Sequence, residues 1–165
     1  MTTAINKTTI IAEPGSQQLF ITREFDADRE KVFRAFNEPD LLLQWLGPDN
    51  MSMEIEYMNN TTGGNYRFIN KDDKGNVYAF NGVLHEVAFP ERIIRTFEFE
   101  GLPERGHVAL EFLKLEALPG NRTRIHIQSV FPSVADRDGM VQSGMEGGMN
   151  QGFAKLDAIF ASNKI

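Results

Sequence analysis

Hydrophobic and polar positions alternate through the middle of the chain, and the period changes toward its C-terminal end. Met53, Ile55 and Tyr57 alternate with Glu54 and Glu56, the period-2 pattern of a half-buried strand. Gln18–Phe25, Tyr66–Asn70, Val77–Val87, Arg92–Phe99, Val108–Leu115 and Thr123–Phe131 read as further strands. Turn chemistry separates them: Pro14-Gly15, Gly63-Gly64, Asp72-Asp73-Lys74-Gly75, Pro90 and Pro119-Gly120-Asn121. Gly82, inside the longest strand, predicts a bulge or bend. Connections this short imply an antiparallel meander.

Two helical signals interrupt the strands early. Asp26 or Asp28 is placed to cap a helix over Arg29–Phe36, where Val32, Phe33 and Phe36 share a face. Pro39 ends that helix and opens a short second one reaching Leu43 or Trp45. From Asp136 to Ile159 the period lengthens. Val141, Met145, Met149, Phe153, Leu156 and Phe160 recur every three or four residues, which predicts one long amphipathic helix. The expected architecture is α+β. A curved antiparallel sheet of six or seven strands wraps a long C-terminal helix, with two short helices after the first strand. Residues 1–15 form a weakly patterned extension, either frayed or an edge strand, and 16–165 form the domain.

A chain of 165 residues buries roughly two-thirds of its unfolded surface and needs no covalent staple. Thirteen Phe beside one Trp and three Tyr point to a substantial apolar interior. Cysteine is absent, which rules out disulfides, thiolate zinc sites and a Cys nucleophile. Met1 to Thr9 is polar, and no apolar run approaches the roughly 18 residues of a membrane span, so the expected location is cytoplasmic. Net charge is −6 with no basic patch, which argues against nucleic acid as a partner.

Candidate chemistry is sparse. His85, His107 and His126 fall on three strands, and a carboxylate such as Glu54 or Glu111 would complete a metal or acid–base site if two converged. No HExxH spacing supports this, so each histidine reads first as a surface or hydrogen-bonded residue. GxSxG, GxGxxG and phosphate-loop motifs are missing. No catalytic set, metal or cofactor is expected. Trp45, ahead of Gly47-Pro48, either caps a cavity mouth or anchors the second helix. Gly144, Gly148 and Gly152 recur every four residues in the last helix, where each interior glycine costs up to ~1 kcal/mol. Gly148 and Gly152 fall on its apolar face, flanked by Met145 and Met149. Two readings stand open: close packing against the glycines, or room for a ligand.

The ordered segments resemble a known family. Ile21-Thr22-Arg23-Glu24-Phe25 leads into Val32-Phe33-Arg34-Ala35-Phe36, then Pro39 and Trp45-Leu46-Gly47-Pro48. Gly63-Gly64-Asn65-Tyr66-Arg67, Gly82-Val83-Leu84-His85-Glu86-Val87, Pro90-Glu91-Arg92-Ile93 and Gly144-Met145-Glu146-Gly147-Gly148-Met149 follow, ahead of Leu156. Over residues 16–162 the chain resembles the family named after the C-terminal domain of the activator of the heat-shock protein 90 ATPase. That family lies in the START-like, Bet v 1-like SRPBCC superfamily of helix-grip folds. Many members carry a second Trp where this chain has Leu46, a change in the pocket or its rim.

The resemblance implies an internal hydrophobic cavity that binds a small apolar or amphipathic molecule. Trp45, Tyr66, Phe68, Tyr78, Phe80, His85, Arg95, Phe97, Met145, Gly148, Met149, Gly152 and Phe153 are the candidate lining residues, with His85, Tyr66, Tyr78 and Arg95 as the polar set. Two other functions stay open. One is a cochaperone acting on a heat-shock ATPase, although the extra N-terminal domain of the full-length activators has no counterpart in the first 15 residues. The other is a cyclase- or hydratase-like enzyme using the same cavity. A homodimer is also left open.

Overall fold

The alternating segments assemble into one curved antiparallel sheet in the computed structural model, which describes residues 6–165. In chain order the elements are β1 (Thr9–Ile11), β2 (Gln18–Phe25), α1 (Arg29–Asn37), α2 (Pro39–Trp45), β3 (Met51–Met58) and β4 (Asn65–Asp72). They continue with β5 (Val77–Ala88), β6 (Arg92–Phe99), β7 (Val108–Leu118), β8 (Arg122–Val130), α3 (Val134–Gln142) and α4 (Met145–Ala161). The strand order is β1-β2-β8-β7-β6-β5-β4-β3. There are eight strands rather than six or seven, because Thr9–Ile11 pairs with Phe20–Thr22 at the edge. Three residues are too few to show a period of their own. Residues 1–5 of the extension lie outside the described residues.

Hairpins join β3 through β8, and β8 closes back on β2 with Ile21 opposite Ile127. Leu19, Ile21, Arg23 and Phe25 turn inward from β2, while Phe20 faces out. The predicted irregularity in β5 takes two forms. Gly82 admits the Tyr66 ring: a Cβ there would lie 2.5 Å from Tyr66 Oη and 2.0 Å from the Thr96 carbonyl oxygen. The bulge itself comes later, where Leu84 pairs with Arg95 but Glu86 with Ile94, leaving His85 as the extra residue.

Local chemistry sets the helix ends. Asp28 caps α1 by accepting the Lys31 N–H at 2.9 Å, while Asp26 takes Arg122 at 2.7 Å. Pro39 opens α2, where a missing N–H costs nothing. The single long C-terminal helix of the sequence reading is a correction: it is two helices. Gly144 at φ 85° sits in the left-handed region, and Ser143 bonds back to the Met140 carbonyl through Oγ at 2.6 Å. Val141 is consequently exposed, and the apolar stripe holds only beyond the break.

Packing then grips both helices. Phe153 and Leu156 of α4 are fully buried, and Phe153 meets Phe25 edge-on at 5.3 Å. Buried Arg23 reaches from β2 to Asp157 through two 2.6 Å hydrogen bonds. Arg137 ties α3 down by donating to the carbonyls of Gln18 (3.1 Å) and Glu13 (2.8 Å). No described helix is long and apolar enough to cross a membrane.

Candidate functional site

Each inward strand face presents every second residue, so Ile93, Arg95, Phe97 and Phe99 of β6 look toward α4 together. The glycine-rich start of α4 does not fill the space above them. A cavity of about 1130 Å³ results, bounded by β2 to β8, by α2 and by both C-terminal helices. Its exposed lining residues cluster in Leu102–Glu104 of the β6–β7 loop, in α3 and at the α3–α4 junction. That cluster marks the mouth, and the helix break lies on its rim.

Of the candidates, Trp45, Phe68, Tyr78, Phe80, Arg95, Phe97, Met145, Gly148, Met149, Gly152 and Phe153 all border this space. Two do not. His85 is exposed, because Tyr78, Phe80 and Leu84 take the inward positions of β5 and alternation turns position 85 outward. Tyr66 is buried behind the wall, donating its hydroxyl to the Thr96 carbonyl at 2.6 Å, and burial pushes its pKa up to about 12. Neither belongs to the polar set.

Trp45 serves both roles considered for it. At 3% exposure it anchors α2, donating Nε1–H to the Ala35 carbonyl at 2.8 Å, and its ring still borders the cavity. The two glycines separate. A Cβ on Gly148 would find only Pro48, at 3.9 Å. A Cβ on Gly152 would lie 2.9 Å from the Trp45 carbonyl oxygen. Room for a side chain exists at Gly148, and close packing holds at Gly152.

The polar lining is mostly self-paired. Arg95 donates Nε–H to Glu111 Oε2 at 3.0 Å from the opposite register position, and its guanidinium lies 5.3 Å from the Tyr66 ring centroid. Desolvation opposes the Arg95 charge, but Tyr66 and Glu111 outweigh it and raise its pKa. His107 meets Asp136 of α3 through Nδ1 at 2.8 Å, and that bond, with the attraction of the same carboxylate, raises the imidazole pKa. Sequence reasoning missed Glu111, His107 and Asp136 as lining residues. Inward parity along β7 would have found Glu111. No local signal joins a loop histidine to a helix residue 29 positions on.

The histidines do not converge: His126 pairs with Glu116 at 2.9 Å on the outer face, whereas His107 borders the cavity. Glu54 is exposed on β3. Among the described residues no group of three His, Asp or Glu is arranged to hold a metal. What the arrangement can do is enclose an apolar body beside a few paired polar groups.

No curated protein matches this sequence at a significant level. A protein from Rhodobacter sphaeroides is similar in fold, with TM-score 0.84 and 24% identity over 94% of this chain and 99% of that one. A solution structure from Arthrobacter aurescens gives TM-score 0.82 and 26% identity over 93% and 91%. An AHSA1 protein from Silicibacter pomeroyi gives TM-score 0.71 and 21% identity over 88% and 99%. With a family model matching residues 26–161, the chain belongs to the Activator of Hsp90 ATPase homolog 1-like protein family, on the helix-grip fold.

Proposed function

We propose that this protein binds a small, mostly apolar molecule in the cavity beneath α4. The carrying observation is the cavity itself: about 1130 Å³, lined by Phe, Met, Leu and Ile side chains from many elements, with few polar groups among them. Such spaces, usually ~300–1,000 Å³ in ligand sites, are costly to leave in a close-packed interior. Met51, Met53, Met145 and Met149 supply adaptable contacts around it. The test is native mass spectrometry of protein purified from its source. A co-purified small molecule is the expected result. No such molecule, together with no saturable binding of a neutral apolar dye, would reject the reading.

A second reading, stimulation of a heat-shock ATPase, draws on the family's description and on one structural feature. Phe20, Val108 and Leu110 are exposed on the convex face of the sheet, where a protein partner would find apolar surface. Steady-state ATP hydrolysis by the host chaperone, with this protein added, separates the two. A saturable, several-fold rise supports the second reading, and no rise removes it. An enzymatic reading has no residue set on its side.

A further inference from the structure

The charges in the cavity wall say what kind of molecule it takes. We infer, resting on the binding reading above, that the ligand is an uncharged amphiphile: an apolar body with a neutral hydrogen-bonding head, and not a carboxylate. Five residues that can carry charge near neutral pH line the space: Arg95, Glu104, His107, Glu111 and Asp136. Carboxylates outnumber cations, so the lining is net negative whether or not His107 is protonated.

Both cations face a carboxylate. The Arg95 Nε–H is held by Glu111 at 3.0 Å, and one face of the guanidinium looks onto Tyr66. A ligand carboxylate brought to Arg95 would sit beside the Glu111 carboxylate in a poorly hydrated wall, where like charges repel strongly. At the mouth, His107 stands between Asp136 (2.8 Å, Nδ1) and Glu104 (3.8 Å, Nε2). An anion entering there meets two carboxylates flanking one imidazole.

A neutral head, by contrast, finds donors: among the described residues Nη1 and Nη2 of cavity-lining Arg95 make no protein hydrogen bond, and a hydroxyl or carbonyl oxygen can accept from them without placing a second negative charge beside Glu111.

The experiment is displacement of Nile red, a neutral dye, by three decyl probes at pH 7.5: 1-decanol, decanoate and decyltrimethylammonium. Decanol is expected to displace the dye, with decanoate at least about tenfold weaker, a difference of ~1.4 kcal/mol. Decanoate binding as well as decanol, or the ammonium binding tightest, overturns the inference while leaving the binding reading intact. Failure of Nile red to bind and of decanol to protect the protein thermally overturns the binding reading itself. Glu111→Gln supplies the second arm, since it keeps a hydrogen bond to Arg95 but removes the competing charge. Decanoate should then tighten several-fold relative to decanol. No change for decanoate in a folded Glu111→Gln variant would show that Arg95 pairing does not set the preference.

Discussion

Gly152→Ala and Gly148→Ala should move stability in opposite directions, although both replace a glycine on the same face of α4. At Gly152 the new methyl carbon would stand 2.9 Å from the Trp45 carbonyl oxygen and 3.4 Å from its ring carbon Cε3. The first of these is backbone. Trp45 cannot easily retreat, because its indole N–H is bonded to the Ala35 carbonyl at 2.8 Å and its ring packs on Phe36 at 4.8 Å. Overpacking of this kind costs roughly 1–3 kcal/mol, against a helix-propensity gain of up to ~1. The net expectation is a loss of about 1–2 kcal/mol. At Gly148 the nearest atom is Pro48 Cβ at 3.9 Å, an ordinary contact, so only the gain of up to ~1 kcal/mol remains. The two variants should therefore differ by about 2 kcal/mol in urea denaturation at unchanged slope. Gly152→Ala at or above wild-type stability would refute the packing argument. Gly148→Ala destabilised by more than 1 kcal/mol would refute the open-space argument, by this same estimate. A folded Gly148→Leu should also weaken Nile red binding, since its side chain would project toward the cavity.

Other expectations test separate parts of the molecule. Asp157→Ala strips the partner from buried Arg23 and should cost about 2 kcal/mol, below the 3–5 typical of fully buried pairs because Asp157 is 37% exposed; denaturant unfolding measures it. Arg67 holds the Glu100 pKa down to about 2 from its usual 4.5, chiefly through their hydrogen bonds at 2.9 and 3.0 Å. Its contribution to stability is complete above about pH 4.5 and is lost as pH falls toward 2, so Glu100→Gln should flatten that part of the stability–pH curve. The His107 pKa is raised by Asp136, so this pair stabilises the fold below the ordinary imidazole range and loses its effect as pH rises through the raised value; an NMR titration in Asp136→Asn should return it toward the ordinary range. Thermal melts with and without a chelator should coincide, and a lowered melt in chelator would reveal a metal the residue chemistry does not suggest.

Short-range chemistry was readable from the residues because its causes lie within a few positions. Alternation in β2 and β6 gave their boundaries, Asp28 and Pro39 gave the helix starts, and the inward parity of Phe68, Phe80 and Phe97 gave much of the cavity wall. The resemblance of ordered motifs gave the family. His85 left the candidate site for a reason already legible in the residues, since alternation from Tyr78, Phe80 and Leu84 turns position 85 outward. Tertiary structure decided the rest. Tyr66 left the site because Gly82 on the neighbouring strand opens a slot for its ring. Gly148 and Gly152 look alike along the chain, and only the position of α2 separates them. Arg95 and Glu111, or His107 and Asp136, acquire their meaning through contacts between residues 16 and 29 positions apart. Periodicity records which face a residue takes within its own element, whereas register, bulges and helix docking depend on surfaces formed only when distant segments pack together.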